Sequence, residues 1–275
     1  MGWISILLIA VGLWAFFRWF ERANVYQPTA DWGLTPATFG WRWEEVRFEA
    51  TDGVSLSGWF LPAPEGAAHP ELVVLVNHGN GGNISHRASL YALLRDLGVN
   101  VFAYDYRGFG RSEGRPTEEG TYRDAEGALR WLNRRGFPNG QVIAHGESLG
   151  GGIAAELASR HADLRGLVLR STFTSIPDLG KELFPFLPVG LVATIHYNTR
   201  SKLPSIRVPV LILHSHEDTL IPFHHAEANF AAATGVKRLV EIRGDHNDQP
   251  DASPDLYAGA IRDWLIESPS RKSEP

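Results

Sequence analysis

The chain has 275 residues, 44% of them hydrophobic, with a formal net charge of −5 and no cysteine. That length accommodates one α/β domain with a sizeable core and a short appendage. Mild acidity without any long Lys/Arg run excludes a nucleic-acid partner, and the lack of cysteine excludes disulfides, Cys nucleophiles, Cys-type zinc sites and iron–sulfur clusters.

Residues 1–22 read as an N-terminal membrane anchor helix. "MGWISILLIAVGLWAFFRWF" carries no charge before Arg18, and 20 helical residues reach roughly 30 Å, the depth of a hydrocarbon core. Trp3, Trp14 and Trp19 suit membrane interfaces, and Arg18 can extend its charge to water. A cleaved signal peptide wants a basic start and a small-residue cleavage site, and "FFRWFERANVY" offers neither. The expectation is an uncleaved single-pass anchor, with the lipid bilayer as a partner through residues 1–20. Arg18 and Arg22 on its C-terminal flank lean the main domain to the cytoplasmic side. On this reading the segment supplies location rather than chemistry.

Residues 23–43 read as a connector, broken by Pro28, Gly33, Pro36 and Gly40. "EEVRFEA" and "VSLSGWFLPA" alternate about Thr51-Asp52-Gly53 and predict a β-hairpin. Apolar strand-like runs then alternate with helical ones. Strands are predicted within 71–78, 99–105, 141–147, 164–171, 208–215 and 237–244. Helices are predicted over 86–97, 117–135, from Ser148 onward, over 223–233 and over 254–267. Short apolar runs separated by helices predict an α/β fold with a mostly parallel central sheet covered on both faces. The main domain spans 44–268, and "SPSRKSEP" contributes a disordered tail at 269–275. A cap-like insertion occupies about 173–207. Its "LFPFLPVGLVATI" (183–195) is uncharged but holds two prolines and a glycine. It is too short to span a bilayer, and reads as either a core helix or an apolar cap over the site.

Gly146-Glu147-Ser148-Leu149-Gly150 matches G-x-S-x-G, a strand-to-helix elbow that holds its serine out on a strained turn. Serine needs a positioned base, itself oriented by a third group. Past the elbow, "LILHSHEDTLIP" places Asp218 beyond one strand end, and "IRGDHND" places His246 beyond the next. Ser148, Asp218 and His246 are therefore the candidate catalytic residues. Glu217 is the neighbouring carboxylate, read as a solvated or rim residue. An oxyanion hole needs N–H donors: Leu149, after the nucleophile, and Asn80 in the glycine-rich "HGNGGN" (78–83) are the candidates.

Other chemistries fit less well. "HSHED" resembles the start of an H-x-H-x-D metal motif, but Thr219 stands where the next histidine belongs, so no metal is expected. The glycines at 79, 81, 108 and 110 miss dinucleotide-binding spacing, and no phosphate loop is present. No cofactor is expected.

HGNGGN, DYRGFGRSEG (105–114), GESLGG, HEDTLIP and GDHND together resemble the α/β-hydrolase superfamily, and within it the membrane-tethered serine-hydrolase branch that includes protein depalmitoylases. The resemblance covers about residues 44–267. It implies an ester or thioester hydrolase that acts on a small-molecule or acylated substrate without a cofactor, with its Ser-His-Asp roles on Ser148, His246 and Asp218. A serine peptidase or an acyltransferase would use the same residues. The alternative of another class is a catalytically silent, membrane-anchored binding module. In DYRGFGRSEG, Asp105 and Arg107 are read as structural.

Overall fold

The computed structural model describes residues 2–267; the tail expected at 269–275 lies outside the described residues. Helix α1 (Gly2–Val25) leads into a two-residue strand β1 (Gln27–Pro28). The hairpin follows as β2 (Glu44–Glu49) and β3 (Ser55–Leu61), then β4 (Val73–Asn77), β5 (Gly81–Gly82), α2 (Ala88–Asp96) and β6 (Asn100–Tyr104). Next come α3 (Glu118–Arg134), β7 (Val142–Glu147), α4 (Leu149–Arg160) and β8 (Gly166–Arg170). The insertion carries α5 (Ile176–Leu183), α6 (Val189–Val192) and α7 (Thr199–Lys202). The chain closes with β9 (Val210–Ser215), α8 (His224–Ala232), β10 (Lys237–Ile242), α9 (Gln249–Ala252) and α10 (Pro254–Glu267).

Eight strands form one sheet in the order β10-β9-β8-β7-β4-β6-β3-β2. It is parallel from β10 to β6, and β3 and β2 extend it antiparallel. The central strands are buried along their whole length, which is why they read as continuous apolar runs rather than as alternation. One face packs on Ala125, Leu129 and Leu132 of α3 and Ile153 and Leu157 of α4. The other packs on Leu90 and Leu94 of α2 and Tyr257, Ile261 and Trp264 of α10. From β4 the chain moves to β6 on one side and returns to β7 on the other, so β4 marks the switch point where the crevice at the strand ends opens.

Two expectations change. The segment 183–195 is not a core helix. Pro185 and Pro188 break it, leaving only the four-residue α6, with Phe186 96% exposed and Leu191 89% exposed. Residues 23–43 are more than a connector. Nothing in the sequence breaks α1 before Pro28, so it runs to Val25, and β1 then pairs in parallel with β5 in the HGNGGN loop. Among the described residues α1 is the one helix long and apolar enough to cross a membrane.

Candidate active site

The elbow is built by close backbone approach. Ser148 sits at φ 52°, ψ −117°, a left-handed conformation rare outside glycine. Its N–H donates to the Arg170 carbonyl at 2.9 Å and its carbonyl accepts from Thr172 Oγ1 at 3.0 Å, so the strain is held from both sides. The flanking glycines leave room for this. A Cβ on Gly150 would lie 2.0 Å from the Asn77 carbonyl oxygen, and one on Gly146 would lie 2.4 Å from the Gly150 carbonyl oxygen. Leu149 opens α4, where first-turn N–H groups lack intrahelical acceptors and form the positive end of the helix dipole.

Asp218 and His246 meet at the ends of β9 and β10. His246 Nδ1 lies 2.8 Å from Asp218 Oδ2, with both side chains buried. The other oxygen, Oδ1, accepts the N–H groups of Leu220 (3.0 Å) and Ile221 (2.8 Å), which fixes the carboxylate in a side-chain-closed turn. Burial alone would raise the Asp218 carboxyl, but its bonds to His246 and the Ile221 N–H outweigh that and hold it below its ordinary value. Ser148, Leu149, Asn80 and His246 all line one cavity of about 710 Å³.

Five residues to which the sequence analysis gave no role support this arrangement. Asp245 Oδ1 accepts the N–H of Thr219 and of His246, both at 2.8 Å, tying together the two loops that present the pair. Gln249 reaches Asp218 Oδ2 at 3.4 Å and accepts from Ser171 Oγ at 2.6 Å. Beneath the elbow, Glu147 forms a buried ion pair with Arg170 (2.6 Å), and Arg87 closes on its other oxygen at 3.3 Å. Only Asp245 carried a sequence signal, as the residue before His246; the Glu147–Arg170 contact depends on the β7–β8 register. Glu217 accepts the Gly244 N–H at 2.8 Å and does not bond His246.

The buried histidines nearby serve as neutral hydrogen-bonding groups. Desolvation lowers His78 to about 3, His145 to about 3 and His214 to about 4. His214 Nε2 lies 2.8 Å from the Ile221 carbonyl, so its proton points there. In DYRGFGRSEG, Arg107 is bidentate to Asp52 and also bonds Asp124, while Asp105 accepts from Trp32 Nε1 (2.8 Å) and the Ile84 N–H (2.9 Å). Glu182, His224 and His225 are grouped closely. His225 Nδ1 accepts the Thr174 N–H at 3.1 Å, which leaves the proton on Nε2, 3.3 Å from a Glu182 oxygen that His224 Nε2 also approaches at 3.1 Å.

The last turn of the N-terminal helix also reaches the site, where Asn24 and Val25 line the cavity. The Gln27 N–H donates to the Asn80 carbonyl at 3.0 Å and Asn80 Nδ2 donates to the Asn24 carbonyl at 3.3 Å. Glu21 accepts the N–H groups of Thr194 and Ile195 at 2.7 and 2.9 Å, and Arg18 bonds Thr194 and the Val192 carbonyl. The helix end is fastened to both the loop and the cap.

Known proteins resemble this chain over most of its length. A family described by the alpha/beta hydrolase fold matches residues 73–189. The α/β-hydrolase domain-containing protein WAV2 of Arabidopsis thaliana is 31% identical over 78% of this chain and 76% of its own length. The chain belongs to the α/β-hydrolase family. An uncharacterised protein from Mycobacterium tuberculosis is 35% identical over 96% of this chain and 93% of its own length. A Pyrococcus furiosus esterase shares the α/β-hydrolase fold with a TM-score of 0.71 at 21% identity, covering 89% of this chain and 98% of that one.

Proposed function

We propose that this α/β-hydrolase is a membrane-anchored serine hydrolase that cleaves carboxylic ester or thioester bonds of acyl substrates. The observation that carries the reading is the His246–Asp218 pair at 2.8 Å, facing the same cavity as a serine on a strained elbow. In the proposed reaction His246 Nε2 takes the Ser148 proton as Oγ attacks the carbonyl carbon. The oxyanion is held by the N–H groups of Leu149 and Asn80. Asp218 keeps the imidazole proton on Nδ1 and stabilises the imidazolium. His246 then protonates the leaving alcohol or thiol, and a water activated by the same imidazole releases the acid from Ser148. No step calls for a metal or cofactor.

The membrane assignment rests on the length and apolar composition of α1, which is exposed over residues 2–16 rather than packed in the core. Arg18 and Arg22 on its C-terminal flank favour a cytoplasmic domain. Hydrolysis of p-nitrophenyl esters and acyl thioesters by the full-length protein tests the activity. Turnover should fall by about 10⁴-fold in Ser148→Ala or His246→Ala, since such residues act as a unit. A variant that keeps near-normal turnover would remove the triad assignment.

A further inference from the structure

The cavity that holds Ser148 does not end at the serine. It shares a wall with an apolar groove between α1 and the cap, formed by Asn24 and Val25 on one side and Ile176, Gly180 and Phe184 on the other. Beyond that wall the groove runs past Phe20 and Phe17 of α1 and past Leu187, Val189 and Val192 of the cap. Phe20 packs edge-on against Phe184 at 5.2 Å, closing helix and cap together. One charged residue borders the groove, Glu21, and its carboxylate is engaged by the Thr194 and Ile195 N–H groups, the Thr194 hydroxyl and Arg18.

Three features decide what fits there. The lining offers no free hydrogen-bonding group along its apolar stretch, so the occupant is itself apolar. The groove follows α1 from Val25 back to Phe17, about 12 Å at the helical rise, toward the part of the helix suited to lipid. In the same cap segment Phe186 and Leu191 project into solvent as large apolar side chains, a surface that gains by contact with acyl tails.

We propose that this groove takes a long fatty-acyl chain drawn from the bilayer around α1, so that the membrane helix is one wall of the substrate site. The proposal rests on the serine-hydrolase reading above. The ester carbonyl carbon bonds to Ser148 Oγ with the chain lying along the groove. The proton passes through His246 to the departing alcohol or thiol. Water then replaces the Ser148 bond, and the free acid leaves along the path by which the chain entered.

The test uses full-length protein in phosphatidylcholine nanodiscs, with p-nitrophenyl hexadecanoate and butanoate as paired substrates. Each buried methylene contributes up to about fourfold to kcat/KM, so obstructing the groove in Ala193→Trp or Val189→Trp should lower the hexadecanoate-to-butanoate ratio by at least about tenfold. Fluorophosphonate labelling of Ser148 checks that each variant is folded. If neither folds, wild-type protein decides: a hexadecyl fluorophosphonate with a terminal diazirine should crosslink to α1 and residues 187–193. An unchanged ratio in a labelled variant, or crosslinks confined to the 220–221 and 247 side of the cavity, overturns the groove. Equal turnover of hexadecanoyl-CoA from solution overturns the bilayer route. Loss of all turnover together with loss of Ser148 labelling in the wild type overturns the serine-hydrolase reading itself, and the groove with it.

Discussion

The side-chain amide of Asn80 donates to the backbone carbonyl of Asn24 at 3.3 Å, across 56 residues of chain. With the Gln27 N–H on the Asn80 carbonyl, it fixes the HGNGGN loop to the last turn of α1. The loop we propose as half of an oxyanion hole is thus positioned by the helix we propose as the membrane anchor.

Deleting residues 1–26 should therefore impair chemistry as well as location. Misplacing a reacting group by about 1 Å costs on the order of 10²-fold in rate. We expect kcat on soluble p-nitrophenyl butanoate to fall at least about tenfold in the folded truncated protein. A rate equal to that of the full chain would show that the brace has no catalytic consequence.

The two neighbouring carboxylates should separate cleanly. Asp218 alone faces His246 Nδ1, whereas Glu217 braces Gly244. Asp218→Asn offers the imidazole the wrong tautomer and should lower kcat by about 10⁴-fold. Glu217→Gln keeps an acceptor for the Gly244 N–H and should retain at least about a tenth of the activity, an ordinary neutral hydrogen bond contributing about 1 kcal/mol. Steady-state kinetics on one soluble ester distinguishes them, and the reverse order would move the acid to 217.

The ion pair under the elbow gives a pH-dependent stability. Burial would raise the Glu147 carboxyl, but Arg170 and Arg87 outweigh it and hold it well below the usual carboxylate range. A depressed native pKa means that the stabilisation is fully present above the unfolded value of about 4.3 and fades as pH falls toward the native one. Glu147→Gln leaves Arg170 buried without its counter-charge, at a cost of about 3–5 kcal/mol near neutrality. Urea midpoints of wild type and variant should differ by a constant amount from about pH 6 to 8, and the gap should begin to narrow below about pH 4. A difference that grows on acidification would reverse the sign of this contribution.

What the sequence made legible follows from where the physics is local. The strands β4 and β6 to β9 are apolar runs because parallel strands are buried on both faces, and the Gly-x-Ser-x-Gly turn is legible because Gly146 and Gly150 must admit backbone atoms. Asp218 and His246 were found from strand ends, which chain order alone predicts. The contacts of Glu147 with Arg170 and Arg87 were not legible, since they join three separate elements through sheet register. The docking of β1 on β5 was hidden for another reason. Its pairing spans two residues, too few for any periodicity, and Pro28 reads as a breaker although the N–H groups that bond the HGNGGN loop are those of Gln27 and Thr29 on either side of it. The cap stayed ambiguous because an uncharged run suits a core helix, until Pro185 and Pro188 interrupt it.

The central claim is that Ser148 is an activated nucleophile, and its most direct test is the site of labelling by a fluorophosphonate. Only a serine with a positioned base attacks phosphorus rapidly. Full-length wild-type protein should carry a single adduct, on the peptide containing Ser148, and Ser148→Ala should carry none. Adduct formation undiminished in Ser148→Ala, or mapped to a different serine, would contradict the account.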